Sequence, residues 1–179
     1  MNFQKNLFLI GGNEERGPQG NLLSHFIKLC GETPRIIIIS GASSFPEQVA
    51  NTYQEIFINR GASQVDCVLF NDRRDGVHQE NRDLLHRADG VFVTGGNQVK
   101  LVGTMGGTPF HKLLLKRINS GMVYGGTSAG ASIVSRIMIA GGRGSFNPRK
   151  NTVKISGGLG ILDGVIIDQH FRERNRLFR

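Results

Sequence analysis

The chain has 179 residues, enough for one domain with a sizeable hydrophobic core. With 39% hydrophobic and 20% charged residues, its composition is that of an ordinary globular protein and excludes a disordered or membrane-embedded chain. The net charge is +8, but the lysines and arginines are scattered and no aromatic residues are interleaved with them. We therefore expect no nucleic-acid partner.

Short apolar runs alternate with longer amphipathic segments in the first two thirds of the chain. The predicted strands are 7–10, 35–40, 65–70, 91–94 and 122–125. The predicted helices are 19–30, 45–61, 78–88 and 109–121. Near-continuous apolar strands are typical of a parallel sheet that is buried on both faces. The alternating order predicts an α/β fold with a doubly wound, mainly parallel sheet and helices on both faces.

The last third of the chain has a different pattern. Residues 153–156 and 164–168 have the composition of strands and are separated by the glycine-rich stretch "GGLGIL". A doubly wound sheet would normally continue, whereas this sequence stops at Arg179, soon after a predicted strand. We therefore expect residues 1–179 to form a single α/β domain that lacks its C-terminal portion.

The cysteines and the N-terminus indicate the compartment. Cys30 and Cys67 lie far apart without metal-ligand spacing, which is typical of buried free thiols in a reducing environment. The first apolar run, "LFLI", is too short for a signal peptide or a membrane span. The sequence therefore predicts a cytoplasmic protein with no membrane partner, and the histidines show no spacing that predicts a metal site.

Ser128 lies at the centre of a G-x-S-x-G pattern in "GGTSAGAS" (125–132). It follows a predicted strand and precedes "AGASIVSRIMI", which has the apolar spacing of a helix. Strand, tight turn, serine and helix form the context of a nucleophile elbow, where small neighbours let strand and helix approach. The alternative is a glycine-rich turn in which Ser128 serves as the helix N-cap.

Two further stretches place polar groups at strand ends, where ligands bind in open α/β sheets. In "VFVTGGNQ" (91–98), a backbone N–H near Gly96 or Asn97 could pair with that of Ala129 to form an oxyanion hole, and Gln98 could hold a substrate backbone. The alternative is a plain turn with Asn97 as a helix cap.

The stretch "IIDQHF" (166–171) delivers Asp168, Gln169 and His170 together, and this histidine could act as general base to Ser128. "GGNEERG" (11–17) is either an active-site loop or a plain turn. It lacks the G-x-G-x-x-G form, so we expect no dinucleotide cofactor.

Together these stretches resemble the cyanophycinase family of serine peptidases related to aspartyl dipeptidase. The matching segments are "GGNEERG", "FVTGGNQVKL", "GGTP", "GGTSAGAS" and "DQHFRERNR", and they occur in the family's order over nearly the whole chain. The resemblance implies the flavodoxin-like sheet of class I glutamine amidotransferases. Those enzymes carry cysteine at the elbow, whereas this chain has Ser128.

The resemblance also implies an activity without a cofactor. It is that of a cytoplasmic exopeptidase that releases β-aspartyl-arginine dipeptides from cyanophycin, a polyaspartate storage polymer with arginine branches. Ser128 would be the nucleophile and His170 the base. The substrate pocket would be lined by Gln98, Asp168, Gln169, Arg174, Arg176 and Arg179. Members of the family often form homodimers, so a homodimer is a possible assembly.

One departure from the family pattern bears on activity. In the family, a glutamate later in the chain orients the histidine, whereas Glu173 is the only acidic residue after His170 here and lies in a different local context. We therefore expect residues 1–179 to be weakly active or inactive. Two alternatives stay open: a dipeptidase for short aspartyl peptides, and an inactive remnant that only binds.

Overall fold

The computed structural model describes residues 6–17, 20–142 and 152–178. In this part of the chain, five strands form one parallel sheet in the order β1-β5-β4-β2-β3. They are β1 (Leu7–Ile10), β2 (Arg35–Ser40), β3 (Gln64–Leu69), β4 (Gly90–Val93) and β5 (Val123–Thr127). An antiparallel pair, β6 (Ile137–Gly142) and β7 (Val153–Gly157), forms a separate ribbon.

The helices cover both faces of the five-stranded sheet. They are α1 (Leu22–Cys30), α2 (Pro46–Asn59), α3 (Gln79–Arg87), α4 (Gln98–Met105), α5 (Pro109–Asn119) and α6 (Ala129–Ser132), with short 3-10 turns at Arg73–Gly76 and Arg176–Phe178. None of the helices in the described ranges has both the length and the apolar character needed to cross a bilayer.

Strand β2 shows why both faces are covered. Side chains alternate along a strand, so Ile36 and Ile38 pack against α1 and α2, whereas Ile37 and Ile39 pack in the core that contains α3, α4 and α5. All four isoleucines are almost completely buried. The predicted α/β class, with a parallel sheet between two helical layers, is therefore confirmed.

The strand order brings three strand ends together. Read from β3, the order β3-β2-β4-β5 follows the flavodoxin pattern, and β1 occupies the position of the fifth strand. Since all five strands are parallel, the carboxyl ends of β1, β5 and β4 lie side by side at one edge. The loops after these strands begin at Gly11, Ser128 and Thr94, and they build the candidate site.

Two predictions for the last third are wrong. Residues 164–168 are not a strand, because no described segment pairs with them, and Val165 and Ile166 are about half exposed. The long helix expected after Ser128 is only α6, four residues in length. Its continuation is rich in β-branched residues, which lose side-chain freedom in a helix, and Ile137 instead opens strand β6.

Candidate active site

Ser128 occupies a strained turn between β5 and α6. Its backbone has φ +54° and ψ −114°, a conformation that costs roughly 1–3 kcal/mol for a residue with a side chain. The turn is held by the Ser128 N–H, which donates to the Ile10 carbonyl at the end of β1 (3.0 Å). Although Ser128 stands at the N-cap position, its hydroxyl caps no backbone N–H. The Ser128 hydroxyl is therefore available to hydrogen-bond with the side chains that lie beyond the carboxyl ends of the strands.

The glycines of the G-x-S-x-G pattern are required by packing. A Cβ on Gly130 would overlap the carbonyl oxygen of Val93, and a Cβ on Gly126 would lie 2.6 Å from the carbonyl carbon of Gly130. No side chain fits in either place, so the backbone of α6 packs directly against the backbones of β4 and β5. This close crossing fixes where Ser128 projects.

His170 meets Ser128 from the C-terminal part of the chain. Its Nε2 atom lies 2.9 Å from Ser128 Oγ. The His170 backbone has φ +47°, and its N–H donates to the carbonyl of Gly11 (2.8 Å). The imidazole lies directly against Gly12, where a Cβ would come within 2.7 Å of Nε2. The "GGNEERG" stretch therefore contacts His170, which favours its interpretation as a loop of the candidate site.

Gln169 offers a second acceptor to the same hydroxyl. Ser128 Oγ lies 2.5 Å from Gln169 Oε1, and the amide nitrogen of Gln169 lies 3.4 Å from Ser132 Oγ. A hydroxyl has one proton, so Ser128 donates to Gln169 or to His170 but not to both. With the amide rotated, Gln169 would donate to Ser128 and leave the serine proton to His170. The buried Gln169 thus controls the direction of the Ser128 hydrogen bond.

The surroundings of His170 favour its neutral form. Burial lowers its pKa below the ordinary value, and the charges of Arg174 and Arg176 lower it further. The carboxylates of Glu173 and Glu14 act in the opposite direction but do not outweigh them. A neutral imidazole with its Nε2 facing a hydroxyl is the state that a general base requires.

The other ring nitrogen of His170 lacks an orienting group in this part of the chain. Among residues 6–17, 20–142 and 152–178, no carboxylate or carbonyl forms a hydrogen bond with Nδ1. Glu173 is exposed and does not supply one. In the described residues, the Gly11 carbonyl holds the backbone of His170, whereas the imidazole itself contacts Gly12 and Ser128 Oγ.

The loop after β4 lies beside the serine. A Cβ on Gly95 would be 3.3 Å from Ser128 Cβ, whereas one on Gly96 would overlap the carbonyl of Ala42. Within the described segments, the amides of Gly96 and Ala129 donate to no protein group, which suits an oxyanion hole, but their role stays a prediction. Asn97 accepts from the N–H groups of Val99 and Lys100. Its interpretation as a helix cap is therefore confirmed.

The remaining predicted pocket residues differ in their surroundings. Gln98 donates its amide to the carbonyls of Ile139 and Ala140 (3.1 and 3.0 Å) and so ties α4 to β6. Arg176 is buried and donates to Asp168 (3.3 Å) and to the Gln169 carbonyl. These contacts hold residues 168–176 together, so Arg176 stabilises the segment that carries His170.

Arg174 is exposed near His170, and Arg179 lies outside the described residues. Across the described part of the chain, no three metal-ligating side chains converge on one point.

The sequence interpretation missed one residue at this edge, Glu14. Its side chain is almost completely buried, and its carboxylate accepts a hydrogen bond from the hydroxyl of Thr127, the residue before Ser128 (2.5 Å). The available signal was a carboxylate placed just after a buried strand, within a stretch already shared with the family.

Comparison with known proteins identifies the family of this chain. The sequence model of Peptidase family S51 matches residues 7–179. The cyanophycinase of Geminocystis herdmanii (strain PCC 6308) is 35% identical over 178 residues, which cover 98% of this chain and 65% of that protein. The cyanophycinase of Synechococcus elongatus is 37% identical over 172 residues, covering 95% of this chain and 53% of that protein.

A solved structure of a peptidase from an acI-B1 Actinobacterium has the same fold. It superposes with a TM-score of 0.75 at 21% identity and covers 96% of this chain and 70% of that one. This chain spans 53–65% of the length of the two cyanophycinases. The family model matches residues 7–179, nearly the whole chain, so the chain belongs to peptidase family S51.

Proposed function

We propose that this chain carries the nucleophile and the base of a serine peptidase that releases β-aspartyl-arginine dipeptides from cyanophycin. The observation that carries the proposal is the 2.9 Å contact between Ser128 Oγ and His170 Nε2 at a strained strand-to-helix turn. The two curated relatives described above are cyanophycinases, which supports the choice of substrate.

The proposed reaction follows from the placement of these groups. His170 takes the proton of Ser128 as Oγ attacks the scissile carbonyl carbon, and the amides of Gly96 and Ala129 would donate to the oxyanion. When the C–N bond breaks, the imidazolium gives its proton to the leaving amine and an ester on Ser128 remains. Water, deprotonated by His170, then hydrolyses this ester and restores the hydroxyl.

The proposed substrate pocket uses the charges beside this pair. Arg174 is exposed, and its charge lowers the pKa of His170, so it would bind a carboxylate of the substrate. Asp168 would take part in binding a substrate guanidinium. Gln98, Gln169, Arg176 and Arg179 complete the proposed lining, and a cytoplasmic location and a homodimer remain part of the proposal.

Covalent labelling of the purified chain tests the nucleophile separately from the substrate. A fluorophosphonate probe should add to Ser128, which mass spectrometry of peptides can locate. Ser128→Ala should abolish the addition, whereas Ser120→Ala, at an exposed serine after α5, should not change it. Absence of labelling at Ser128 in the folded chain would contradict the proposed nucleophile.

Substrate choice is tested by chromatography of the products formed from cyanophycin and from short aspartyl dipeptides. Release of β-aspartyl-arginine that is lost in Ser128→Ala supports the proposal. Turnover of the dipeptides alone would favour the aspartyl dipeptidase alternative.

A further inference from the structure

Glu14 is a buried carboxylate that the proposed reaction does not use. It lies in the loop after β1, and only 1% of its side-chain surface is exposed. Moving a charged carboxylate out of water is costly unless hydrogen bonds and opposite charges replace its hydration. The placement of Glu14 therefore depends on the groups around it.

Three donors surround the Glu14 carboxylate. Thr127 donates its hydroxyl to Oε2 (2.5 Å), and the buried Tyr53 donates its hydroxyl to Oε1. The guanidinium of Arg16 lies 3.4 Å from Oε1 and also stacks over the Tyr53 ring. Burial and the charge of Glu14 raise the pKa of Tyr53, so its hydroxyl remains a proton donor. Two hydroxyls and a cation together suit an ionised carboxylate.

The segment from Ile10, the last residue of β1, to Glu14 contacts both Ser128 and His170. The carbonyl of Ile10 accepts from Ser128 N–H, and the carbonyl of Gly11 accepts from His170 N–H. Gly12 lies against the imidazole. Since Glu14 binds Thr127, this segment is fastened to the nucleophile turn at its other end. One short loop thus sets the position of Ser128 relative to His170, 42 residues further along the chain.

We propose that Glu14 is a positioning residue of this site. Its hydrogen bond to Thr127 holds the loop after β1 against the turn that carries Ser128. Its negative charge stabilises the imidazolium that forms when His170 takes the Ser128 proton. The inference rests on the proposed roles of Ser128 and His170 and adds a residue to them.

The charges that act on His170 come from two segments, residues 173–176 and the loop after β1 that contains Glu14. Arg174 and Arg176 lower its pKa, whereas Glu173 and Glu14 raise it. Glu173 is exposed, so solvent and salt screen it, whereas Glu14 is buried and its field is screened less. Removing the charge of Glu14 should therefore lower the pKa of His170 further.

The test compares Glu14→Gln with Glu15→Gln in the full chain. Glu15 is the exposed neighbour of Glu14 and loses the same charge in the same loop. The pKa of His170 is read from the pH titration of its imidazole by NMR, with His170→Gln used to assign the signal. The reactivity of Ser128 is read from its rate of labelling by a fluorophosphonate probe.

We expect Glu14→Gln to lower the pKa of His170 by about half a unit or more and to slow labelling about tenfold. Glu15→Gln should change neither by a comparable amount. Thr127→Val keeps the Glu14 carboxylate but removes its hydrogen bond to residue 127. It should therefore slow labelling of Ser128 without lowering the pKa of His170.

Glu14→Gln that is folded, titrates as wild type and labels at the wild-type rate would overturn the proposal. If Glu14→Gln does not fold, as judged by circular dichroism, Thr127→Val and Tyr53→Phe test the proposal instead, because each removes one hydrogen bond to Glu14. Labelling of Ser128 at the wild-type rate in both variants would overturn the proposal. Absent labelling of Ser128 in the wild type would instead count against the proposed function, and the titration of His170 would still report on Glu14.

Discussion

The α-carbon of Gly12 lies directly under the imidazole of His170, so that a methyl group there would sit 2.7 Å from Nε2 and 2.9 Å from Nδ1. Gly12 also has φ +117°, a conformation that residues with a side chain rarely adopt. The imidazole of His170, the proposed base, therefore packs against a backbone position where any residue larger than glycine would overlap it.

Gly12→Ala should displace His170 from Ser128 while the fold survives. We expect labelling of Ser128 by a fluorophosphonate probe to slow about 100-fold, because a displacement of about 1 Å is enough for such a loss. The free energy of unfolding should fall by about 1–3 kcal/mol from the strain. Gly11→Ala serves as control, since a Cβ there meets no atom within 4 Å. Equal effects of the two variants would contradict this account.

The pH dependence of labelling should reflect the lowered pKa of His170. Since a general base acts in its neutral form, the proposed role of His170 predicts that the rate rises with pH and reaches half of its maximum below about pH 6.5, the ordinary histidine value. The folded state favours neutral His170, so the associated stability is present above the unfolded pKa and is lost as the pH falls through the folded one.

A charge variant tests the cause of that shift. Arg174→Gln removes a cation that lowers the pKa of His170, so the midpoint of the labelling profile should move to higher pH. Arg172→Gln, at an exposed position outside the groups that act on His170, should leave it in place. A midpoint that stays fixed or falls in Arg174→Gln would show that the arginine does not act on the base.

Gly130→Ala should destabilise the fold, because its Cβ would overlap the carbonyl of Val93. We expect the free energy of unfolding to fall by about 2 kcal/mol or more in urea denaturation, since overpacking at a backbone contact cannot be relieved by a side-chain rotation. Gly103→Ala in α4 meets open space and should stabilise the chain by roughly 0.5–1 kcal/mol, as alanine favours a helix interior. Similar values for the two variants would rule out the close crossing of α6 over β4.

Arg176→Met distinguishes a structural role from substrate binding. Arg176 is buried and bonded to Asp168 and to the Gln169 carbonyl, so its loss should reduce stability by about 3 kcal/mol and also slow labelling of Ser128. Arg172→Met, at an exposed site, should change stability by less than about 0.5 kcal/mol. Weaker substrate binding at full stability in Arg176→Met would instead indicate a pocket residue.

The sequence by itself determined the five parallel strands and four of the helices of the first two thirds, though not α4 (Gln98–Met105), and it placed Ser128 at a strand-to-helix turn. Buried strands such as "RIIIIS" and amphipathic helices such as 45–61 are local patterns, because burial and backbone propensity depend on residues close in the chain. The same holds for the elbow, where strand, glycines and serine are contiguous. In the last third, residues 164–168 look like a strand locally but find no partner, so pattern alone gives the wrong result.

Only the tertiary structure decided how the site is assembled. Glu14 and Thr127 are 113 residues apart, and Ser128 and His170 are 42 apart, so no spacing in the sequence relates them. They meet because β1 inserts beside β5, and strand order is set by how the helices and sheet pack as a whole. The groups that could act as nucleophile and base are therefore visible in the sequence, whereas the glycine and the buried carboxylate that position them emerge only from the folded chain.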